Sequence, residues 1–243
     1  MNKIAIIGKG NVGSHLFKAL SNTSLTVDIF AARSLSTLSP SYDIILLTVT
    51  DTEIENIAGK VDRLVPDFNG IVAHCAGSID LSPLTTYFKN TGVLYPLQTF
   101  NKNIRMERYD EIPFFIEGNS DFVTKELLKL ASLISSKVTV LTSFQRLKLH
   151  IASVLSCNFA NALYLMSKDI LDKADISFDY LLPLIEQTTA KVMLNSPEDC
   201  QTGPARRGDQ IVIEKHLRNL DHNSYSHNLY KLLSTYIADK FKN

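Results

Sequence analysis

The chain has 243 residues, and its 25 basic and 25 acidic side chains give a formal net charge of zero. A neutral chain has no bulk electrostatic attraction to nucleic acid or to an anionic membrane, so neither partner is expected. No run of consecutive apolar residues approaches the roughly eighteen that a bilayer-spanning helix needs. The three scattered cysteines, Cys75, Cys157 and Cys200, fit reduced thiols rather than disulfides or a metal site, which predicts a cytoplasmic protein without a bound metal.

The chain begins with a short apolar strand, residues 3–7, that leads directly into a glycine-rich turn and a helix. Residues 8–13 have the sequence GKGNVG, which is the G-x-G-x-x-G pattern. Its first glycine makes the tight turn, its second lets a phosphate approach the backbone, and its third lets the helix pack on the strand. Unpaired N–H groups at the helix N-terminus then bind the pyrophosphate. The turn predicts a dinucleotide site with contacts from Gly8, Gly10, Asn11, Val12 and Gly13.

The end of the second strand, residues 25–30, indicates which dinucleotide binds. NAD sites usually place an acidic residue about twenty residues past the glycines, where it binds the ribose 2′-hydroxyl. Asp28 has that spacing but lies inside the strand. At the tip of the strand there is no acid, and Arg33 and Ser34 offer a cation and a hydroxyl that suit a 2′-phosphate. The pattern favours NADP over NAD, with a solvated loop as the alternative role of Arg33.

Strand and helix patterns alternate as far as residue 141. The near-continuous apolar run 42–49 is typical of a parallel strand that is buried on both faces. Val49 and Thr50, at its carboxyl end, are further candidate cofactor contacts. Alternation of this kind predicts a doubly wound, mostly parallel sheet, the Rossmann fold, over residues 1–143. Further strands are predicted at 70–74, 92–95, 112–117 and 137–141, and a helix at 121–134.

The pattern changes after residue 143. Residues 144–172 contain no glycine or proline and carry apolar side chains at helical spacing. A helix of that length would extend about 40 Å at 1.5 Å per residue. Such a helix suits the spine of a second, all-helical domain, which we place at residues 144–243. Further helices are predicted at 178–194, 209–220 and 224–241.

Polar side chains follow two strands at the carboxyl edge of the predicted sheet, where open α/β sheets bind their ligands. His74, in the segment AHCAGS, is a candidate for proton transfer or for polarising a substrate carbonyl. Its alternative role is to cap the strand by bonding a loop carbonyl. Gln98, in the segment YPLQTF, offers a donor and an acceptor that could orient a substrate, unless that segment is only a rigid packing loop.

The second domain contributes two further sets of polar residues. His150 lies on one stripe of the long helix with Asn158 at its edge, so His150 is a second candidate for proton transfer and Asn158 for orienting the substrate. The same stripe could instead pack on another helix. Arg206 and Arg207 follow a Gly-Pro turn and could bind a carboxylate or phosphate, or form a charged surface loop.

Together these segments resemble an uncharacterised Rossmann-type family named as NADP oxidoreductases, whose helical C-terminal domain has no known function. The similarity spans essentially the whole chain and includes GKGNVG, HCAGS, YPLQTF and the later segments QTGP and RGD. More distantly, the architecture is similar to that of prephenate dehydrogenase, pyrroline-5-carboxylate reductase, and the 6-phosphogluconate and 3-hydroxyisobutyrate dehydrogenases. In such relatives the helical domain mediates dimerisation, so the resemblance implies a homodimer.

The chain departs from these relatives at two places. Tyr95 precedes a proline where the relatives usually have histidine. A phenol with an ordinary pKa near 10 is a poor base at neutral pH, so acid–base chemistry would fall to His74 or His150. Ala31 and Ala32 stand where the relatives more often place a polar residue beside the arginine, which weakens the expected 2′-phosphate contact.

The sequence therefore predicts an NADP(H)-dependent oxidoreductase that transfers a hydride to or from a small polar, anionic metabolite in the cleft between its two domains. The cofactor would carry out the redox chemistry, and the protein would orient it and manage the proton. The alternative is a non-catalytic dinucleotide-binding or redox-sensing protein. Tyr95 and the lack of a clear acid–base pair are the reasons for keeping that alternative.

Overall fold

The computed structural model describes residues 2–104, 106 and 108–242. The chain forms two compact units, Met1–Asn158 and Phe159–Asn243. The first unit is built on one seven-stranded sheet. Its strands are β1 Lys3–Ile7, β2 Thr26–Phe30, β3 Ile44–Leu47, β4 Ile71–His74, β5 Thr91–Pro96, β6 Phe114–Gly118 and β7 Val138–Val140.

The strand order is β2-β1-β3-β4-β5-β6-β7. All neighbouring pairs are parallel except β5 and β6, which are antiparallel. The chain moves outward from β1 to β2 and then crosses to β3 on the other side, so the topological switch point lies between β1 and β3. This confirms the predicted doubly wound, mostly parallel sheet, and it puts the expected ligand crevice beyond the carboxyl ends of these strands.

Apolar side chains cover both faces of the sheet. Ile4 and Ile6 of β1 belong to one core cluster, and the alternating Ala5 and Ile7 belong to the other. The first cluster includes residues of the helices α1 Asn11–Ser21 and α4 Asp121–Ser132, and the second includes residues of α2 Ile54–Leu64. The short helix α3 Ser82–Thr85 follows β4. Burial on both faces explains why these strands have near-continuous apolar sequences rather than alternating ones.

Helix α5 Ser143–Ser153 belongs to the first unit. A capping box begins it, because the Thr142 hydroxyl accepts from the Gln145 backbone while the Gln145 side chain accepts from Thr142. Inside α5, the buried Arg146 pairs with Glu117 of β6 and donates to the backbone carbonyl of Ile79. The sequence analysis placed the boundary at residue 143 because the pattern changes there from strand to helix. The contacts of Arg146 hold α5 to the first unit, and the domain boundary at residue 143 stays a prediction.

Helical structure is continuous from Ser143 to Asp172, through a π-helical turn Val154–Asn158 and then α6 Phe159–Asp172. By length and composition this helix could cross a membrane: its best window has a mean hydropathy of 1.3, and none of that window is buried. The sequence contains no long run of consecutive apolar residues, so this helix is apolar enough only when hydropathy is averaged over a window. Helices of soluble proteins pass the same test.

The second unit is helical, as predicted. After α6 it contains a 3₁₀ turn Phe178–Leu181, α7 Leu182–Leu194, α8 Pro197–Cys200, α9 Pro204–Arg207, α10 Gln210–Arg218 and α11 Tyr225–Lys240. Gly203 and Gly208 flank α9 with φ values of 100° and 71°, a region that favours glycine. Asp209 caps α10 by accepting from the Val212 backbone N–H at 3.2 Å. The segment expected to be a loop is thus a short helix between two glycine turns.

Candidate functional site

Each glycine of the first turn has a spatial reason. Gly8 has a φ of 128°, and a Cβ there would lie 2.5 Å from the carbonyl oxygen of Thr48. A Cβ at Gly13 would lie 1.9 Å from the carbonyl oxygen of Gly8. At Gly10, by contrast, a Cβ would meet no atom of the described residues within 4 Å. Two glycines are therefore needed for close packing, and the third faces open space from which a phosphate can approach the backbone.

The N-terminus of α1 is available to an anion. Gly10 is its N-cap, and within the described chain no side chain caps this end and no acidic residue lies in its first turn. The Thr48 hydroxyl donates to the carbonyl oxygens of Gly8 at 3.0 Å and Ile7 at 3.2 Å, which fixes the turn against the end of β3. The Asn11 side chain accepts from the backbone N–H of Lys102 at 3.1 Å. This arrangement fits a pyrophosphate bound at the positive end of the helix.

The residues that decide the cofactor lie at the end of β2. Arg33 and Ser34 are both exposed, in a 3₁₀ turn directly after the strand. Asp28 lies within β2, and its carboxylate accepts a hydrogen bond from the Tyr42 hydroxyl at 2.8 Å. The acid at the NAD-like spacing is thus engaged inside the sheet, while the candidate ligands for a 2′-phosphate face solvent. The preference for NADP over NAD stays a prediction.

Polar residues from three neighbouring strands meet at the carboxyl edge of the sheet. After β3, Val49 is half-buried and Thr50 is exposed. The next residue, Asp51, accepts a hydrogen bond from the hydroxyl of Ser78, which follows β4. Tyr95 lies in β5, which pairs with β4. The strand order therefore brings these side chains to the same edge as the glycine turn.

His74 is fully buried at the end of β4, with 0% of its surface exposed. Its Nδ1 accepts from the Ala76 backbone N–H at 3.2 Å, so the proton is on Nε2, which donates to the Asp80 carbonyl at 2.9 Å. Burial lowers the pKa of His74 to about 4, so the ring is neutral at physiological pH. Both ring nitrogens are occupied, as in the strand-capping alternative. A catalytic role for His74 stays a prediction and would require the ring to release one of these bonds.

His150 is in a different environment from His74. Its Nδ1 lies 2.9 Å from the hydroxyl oxygen of Tyr95, and the two rings meet edge to face with centroids 5.8 Å apart. The imidazole is half-exposed, whereas only 8% of Tyr95 is exposed. Sequence analysis treated Tyr95 as the loss of a histidine, yet the fold gives it a histidine as its partner.

The remaining candidates are described by their own surroundings within each unit. Gln98 is exposed, and its side-chain carbonyl oxygen accepts a hydrogen bond from the backbone N–H of Thr99 at 2.8 Å. Asn158 is exposed at the end of the π-helical turn. In the second unit the Arg206 guanidinium stacks on the Phe241 ring at 3.6 Å, while Arg207 is exposed and has no ion pair with any described residue. Across residues 2–104, 106 and 108–242 no cluster of three His, Cys, Asp or Glu side chains could hold a metal.

Sequence analysis missed one residue of this edge and misjudged another. Thr48 holds the glycine turn, and the only sequence signal was a polar residue at the end of a buried apolar strand. Tyr95 was noticed only as a departure from relatives, because its contact with His150 joins residues 55 positions apart. Neither contact follows from a local pattern.

Comparison with known proteins adds a family to this geometry. Residues 112–237, more than half of the chain, match the family model described as a domain of unknown function, DUF2520. No protein with a curated description matches the chain.

Solved structures extend the likeness to the whole chain. A "putative NADP oxidoreductase" from Bacteroides fragilis is 32% identical, with a TM-score of 0.89 and 98% of each chain covered. A protein from Thermotoga maritima is 20% identical, with a TM-score of 0.71 and the same coverage. Plasmodium falciparum pyrroline carboxylate reductase with NADP bound is 13% identical, with a TM-score of 0.54, and 99% of this chain and 98% of that chain are covered.

The last two likenesses concern the fold alone, as does a likeness to prephenate dehydrogenase. The likenesses to pyrroline carboxylate reductase and to prephenate dehydrogenase confirm those two of the distant resemblances that the sequence indicated. Since the family model covers more than half of the chain and a relative is 32% identical across 98% of it, the chain belongs to the DUF2520 family.

Proposed function

We propose that the protein is an NADP(H)-dependent oxidoreductase that transfers a hydride to or from a small polar, anionic metabolite. The observation that carries this proposal is the glycine turn, which is open at Gly10, tightly packed at Gly8 and Gly13, and placed at an uncapped helix N-terminus. The cofactor, when bound, supplies the hydride chemistry. The likeness to the Bacteroides fragilis protein supports the same activity.

The cofactor would be held by groups that follow three strands. The backbone N–H groups of residues 11–13 would bind the pyrophosphate, and Arg33 with Ser34 would bind the 2′-phosphate. Val49 and Thr50, beyond β3, would contact the nicotinamide half, because the ligand crosses the sheet at its switch point.

His150 is the residue of this edge best suited to act on a substrate. It is half-exposed, whereas the nitrogens of His74 are both occupied. Gln98 and Asn158 would orient the substrate. Arg207 is better suited than Arg206 to bind an anionic group, because the Arg206 guanidinium is already stacked on an aromatic ring.

A soluble, cytoplasmic homodimer completes the proposal. The apolar window of the helix Ser143–Asp172 is entirely unburied in the single chain. A second copy would cover that surface, and closed two-fold dimers are the commonest oligomers. The three unclustered cysteines suit the reducing cytoplasm.

The first test is cofactor binding, which is measured as a change in the thermal unfolding temperature. A ligand present at a hundred times its Kd stabilises a protein by about 2.7 kcal/mol, so NADPH should raise the Tm of the unaltered protein. Gly10→Asp is the matched variant: a Cβ there meets no described atom, so the fold should be retained, but a carboxylate would face the pyrophosphate. We expect the same Tm for the variant without ligand and no increase with NADPH. If neither NADPH nor NADH stabilises the unaltered protein, the proposal fails.

Turnover distinguishes the enzyme from the non-catalytic sensor. NADPH oxidation should be followed with a panel of small 2-oxo acids and cyclic imino acids, and NADP⁺ reduction with their reduced counterparts. If the protein is an enzyme, at least one member of the panel should be turned over, and that turnover should fall when Arg207 is replaced. The sensor predicts tight NADPH binding with no turnover in either direction. The contact between Tyr95 and His150 weakens one reason for keeping the sensor as an alternative.

A further inference from the structure

We propose that Tyr95 is a positioning residue that holds His150 in the neutral tautomer with its proton on Nε2. His150 then acts on a bound carbonyl or imine as a hydrogen-bond donor rather than as a general base. This inference rests on the proposed function for its substrate, but the tautomer itself is a property of the protein alone. The relatives that the sequence resembles usually have histidine at this position, so the resemblance alone assigns Tyr95 no role, whereas this inference does.

The contact with Tyr95 uses only one of the two imidazole nitrogens of His150, so the other can bind a substrate. Nδ1 lies 2.9 Å from the Tyr95 hydroxyl oxygen. Nε2 has no hydrogen-bond partner among the residues that the structure describes, and the imidazole is half-exposed. A neutral imidazole has one donor nitrogen and one acceptor nitrogen, so the partner of Nδ1 decides what Nε2 can do.

The direction of the hydrogen bond follows from the surroundings of the phenol. Burial raises the pKa of Tyr95 above its ordinary value; Ser153 and Arg146 oppose this shift, and Asp51 adds to it. The hydroxyl therefore stays protonated at neutral pH. Nδ1 of His150 is its only hydrogen-bond partner among the described residues, so the buried O–H donates to Nδ1 rather than being left without an acceptor. With Nδ1 as the acceptor, the imidazole proton is on Nε2. A fixed donor of this kind aimed at a carbonyl oxygen or imine nitrogen polarises the double bond for hydride addition.

Gly77 provides a second, independent observation. A Cβ at this position would lie 2.6 Å from Nδ1 of His150 and 2.7 Å from Cζ of Tyr95. The backbone of Gly77 is outside the positive-φ region, so a side chain is excluded by space and not by conformation. The main chain after β4 thus packs directly against both rings, which restricts how either ring can move.

The tautomer can be measured without cofactor or substrate. In protein labelled with ¹⁵N in histidine, the imidazole shifts at pH 8, where an ordinary imidazole is neutral, identify which nitrogen carries the proton. The His150 signals are assigned by their absence in His150→Gln. We expect a protonated Nε2 and an unprotonated Nδ1 in the unaltered protein. In Tyr95→Phe the two shifts should move toward each other, because the bias toward one tautomer is lost.

Gly77→Ala should produce the same change while keeping the tyrosine hydroxyl. His216 is an internal reference for both variants, because its Nδ1 lies 2.7 Å from the Tyr230 hydroxyl and it should keep its signals if the protein is folded. A proton on Nδ1 of His150 in the unaltered protein would overturn the inference. So would unchanged His150 shifts in Tyr95→Phe, whether or not Gly77→Ala folds.

NADPH binding separates this inference from the proposed function. Tyr95→Phe should show the same NADPH-induced rise in Tm as the unaltered protein, and with any substrate found its kcat should fall about tenfold or more with the KM for NADPH unchanged. If NADPH binds but Tyr95→Phe leaves the His150 tautomer unchanged, only the inference fails. If NADPH does not bind, the proposed function fails, whatever the tautomer.

Discussion

The two units bury their apolar side chains to very different extents. In the first unit, residues such as Ile6, Ile45 and Val72 are 0% exposed, with helices covering both faces of the sheet. In the second, Ala205 and Ile213 are the only apolar residues below a tenth exposed within the described range, whereas Leu194 is 84% exposed. The first unit therefore has a complete core and a preformed ligand turn. The second has extensive apolar surface that stays exposed in the single chain, the kind of surface that often marks an interaction site.

The largest expected effect concerns the exposed apolar surface of the helix Ser143–Asp172, which begins in the first unit and continues into the second. Leu155 and Phe159 are 60% and 51% exposed and lie in the unburied apolar window. Full burial of such a side chain contributes about 1.5–3 kcal/mol, and a two-fold dimer would bury the exposed half of four of them. Leu155→Glu with Phe159→Glu should therefore weaken dimerisation by roughly 10² to 10⁴-fold. Sedimentation or light scattering at micromolar concentration would show a monomer that is otherwise folded.

Leu133→Glu is the matched control, because Leu133 is also exposed (47%) but follows α4 in the first unit. This variant should have the same oligomeric mass in solution as the unaltered protein. If the unaltered protein is itself a monomer at micromolar concentration, the second unit does not need a partner copy, and the comparison between the units loses its main consequence.

The second prediction contrasts two histidines inside the first unit. His150→Ala should lower turnover by roughly 10² to 10⁴-fold, with NADPH affinity nearly unchanged, because it removes a group that acts on the substrate. His74→Ala should instead lower thermal stability and leave the activity per folded molecule unchanged, since both of its nitrogens bond to the backbone. Steady-state kinetics combined with NADPH titration would check this. Equal losses of turnover in both variants would restore His74 as a catalytic candidate.

The third prediction concerns stability against pH. The pKa of His74 is about 4 in the folded protein and near 6.5 in the unfolded chain, so the unfolded state binds more protons between these values. Stability from this group is complete above pH 6.5 and is lost as the pH falls toward 4, by about 3 kcal/mol in total. Denaturant unfolding at several pH values should show a shallower acid loss in His74→Gln than in the unaltered protein. If the free energy of unfolding falls with decreasing pH equally in the two proteins, the lowered pKa of His74 does not contribute to acid instability.

The sequence predicted the parts of the first unit that depend on local pattern. The glycine turn and the strands were evident because turn residues and apolar runs have fixed local geometry. The antiparallel pairing of β5 with β6 was not, since pairing direction depends on contacts between distant segments. For the same reason the sequence placed His150 in the second domain, whereas Arg146 and Tyr95 tie its helix to the first unit.

The smallest expected effect tests whether the first unit alone decides the cofactor. Arg33 is exposed, so its charge-assisted hydrogen bond to a 2′-phosphate should favour NADPH over NADH by about tenfold, roughly 1.4 kcal/mol. At equal concentrations NADPH should therefore raise the Tm more than NADH does. Arg33→Ala should remove the difference and leave the shift with NADH nearly unchanged, because NADH has no 2′-phosphate. Arg63→Ala, which removes an exposed arginine from α2, should change neither shift. Equal shifts from both nucleotides in the unaltered protein would mean that the turn after β2 does not read the phosphate, even though Asp28 remains bonded to Tyr42 and is not free to select NAD.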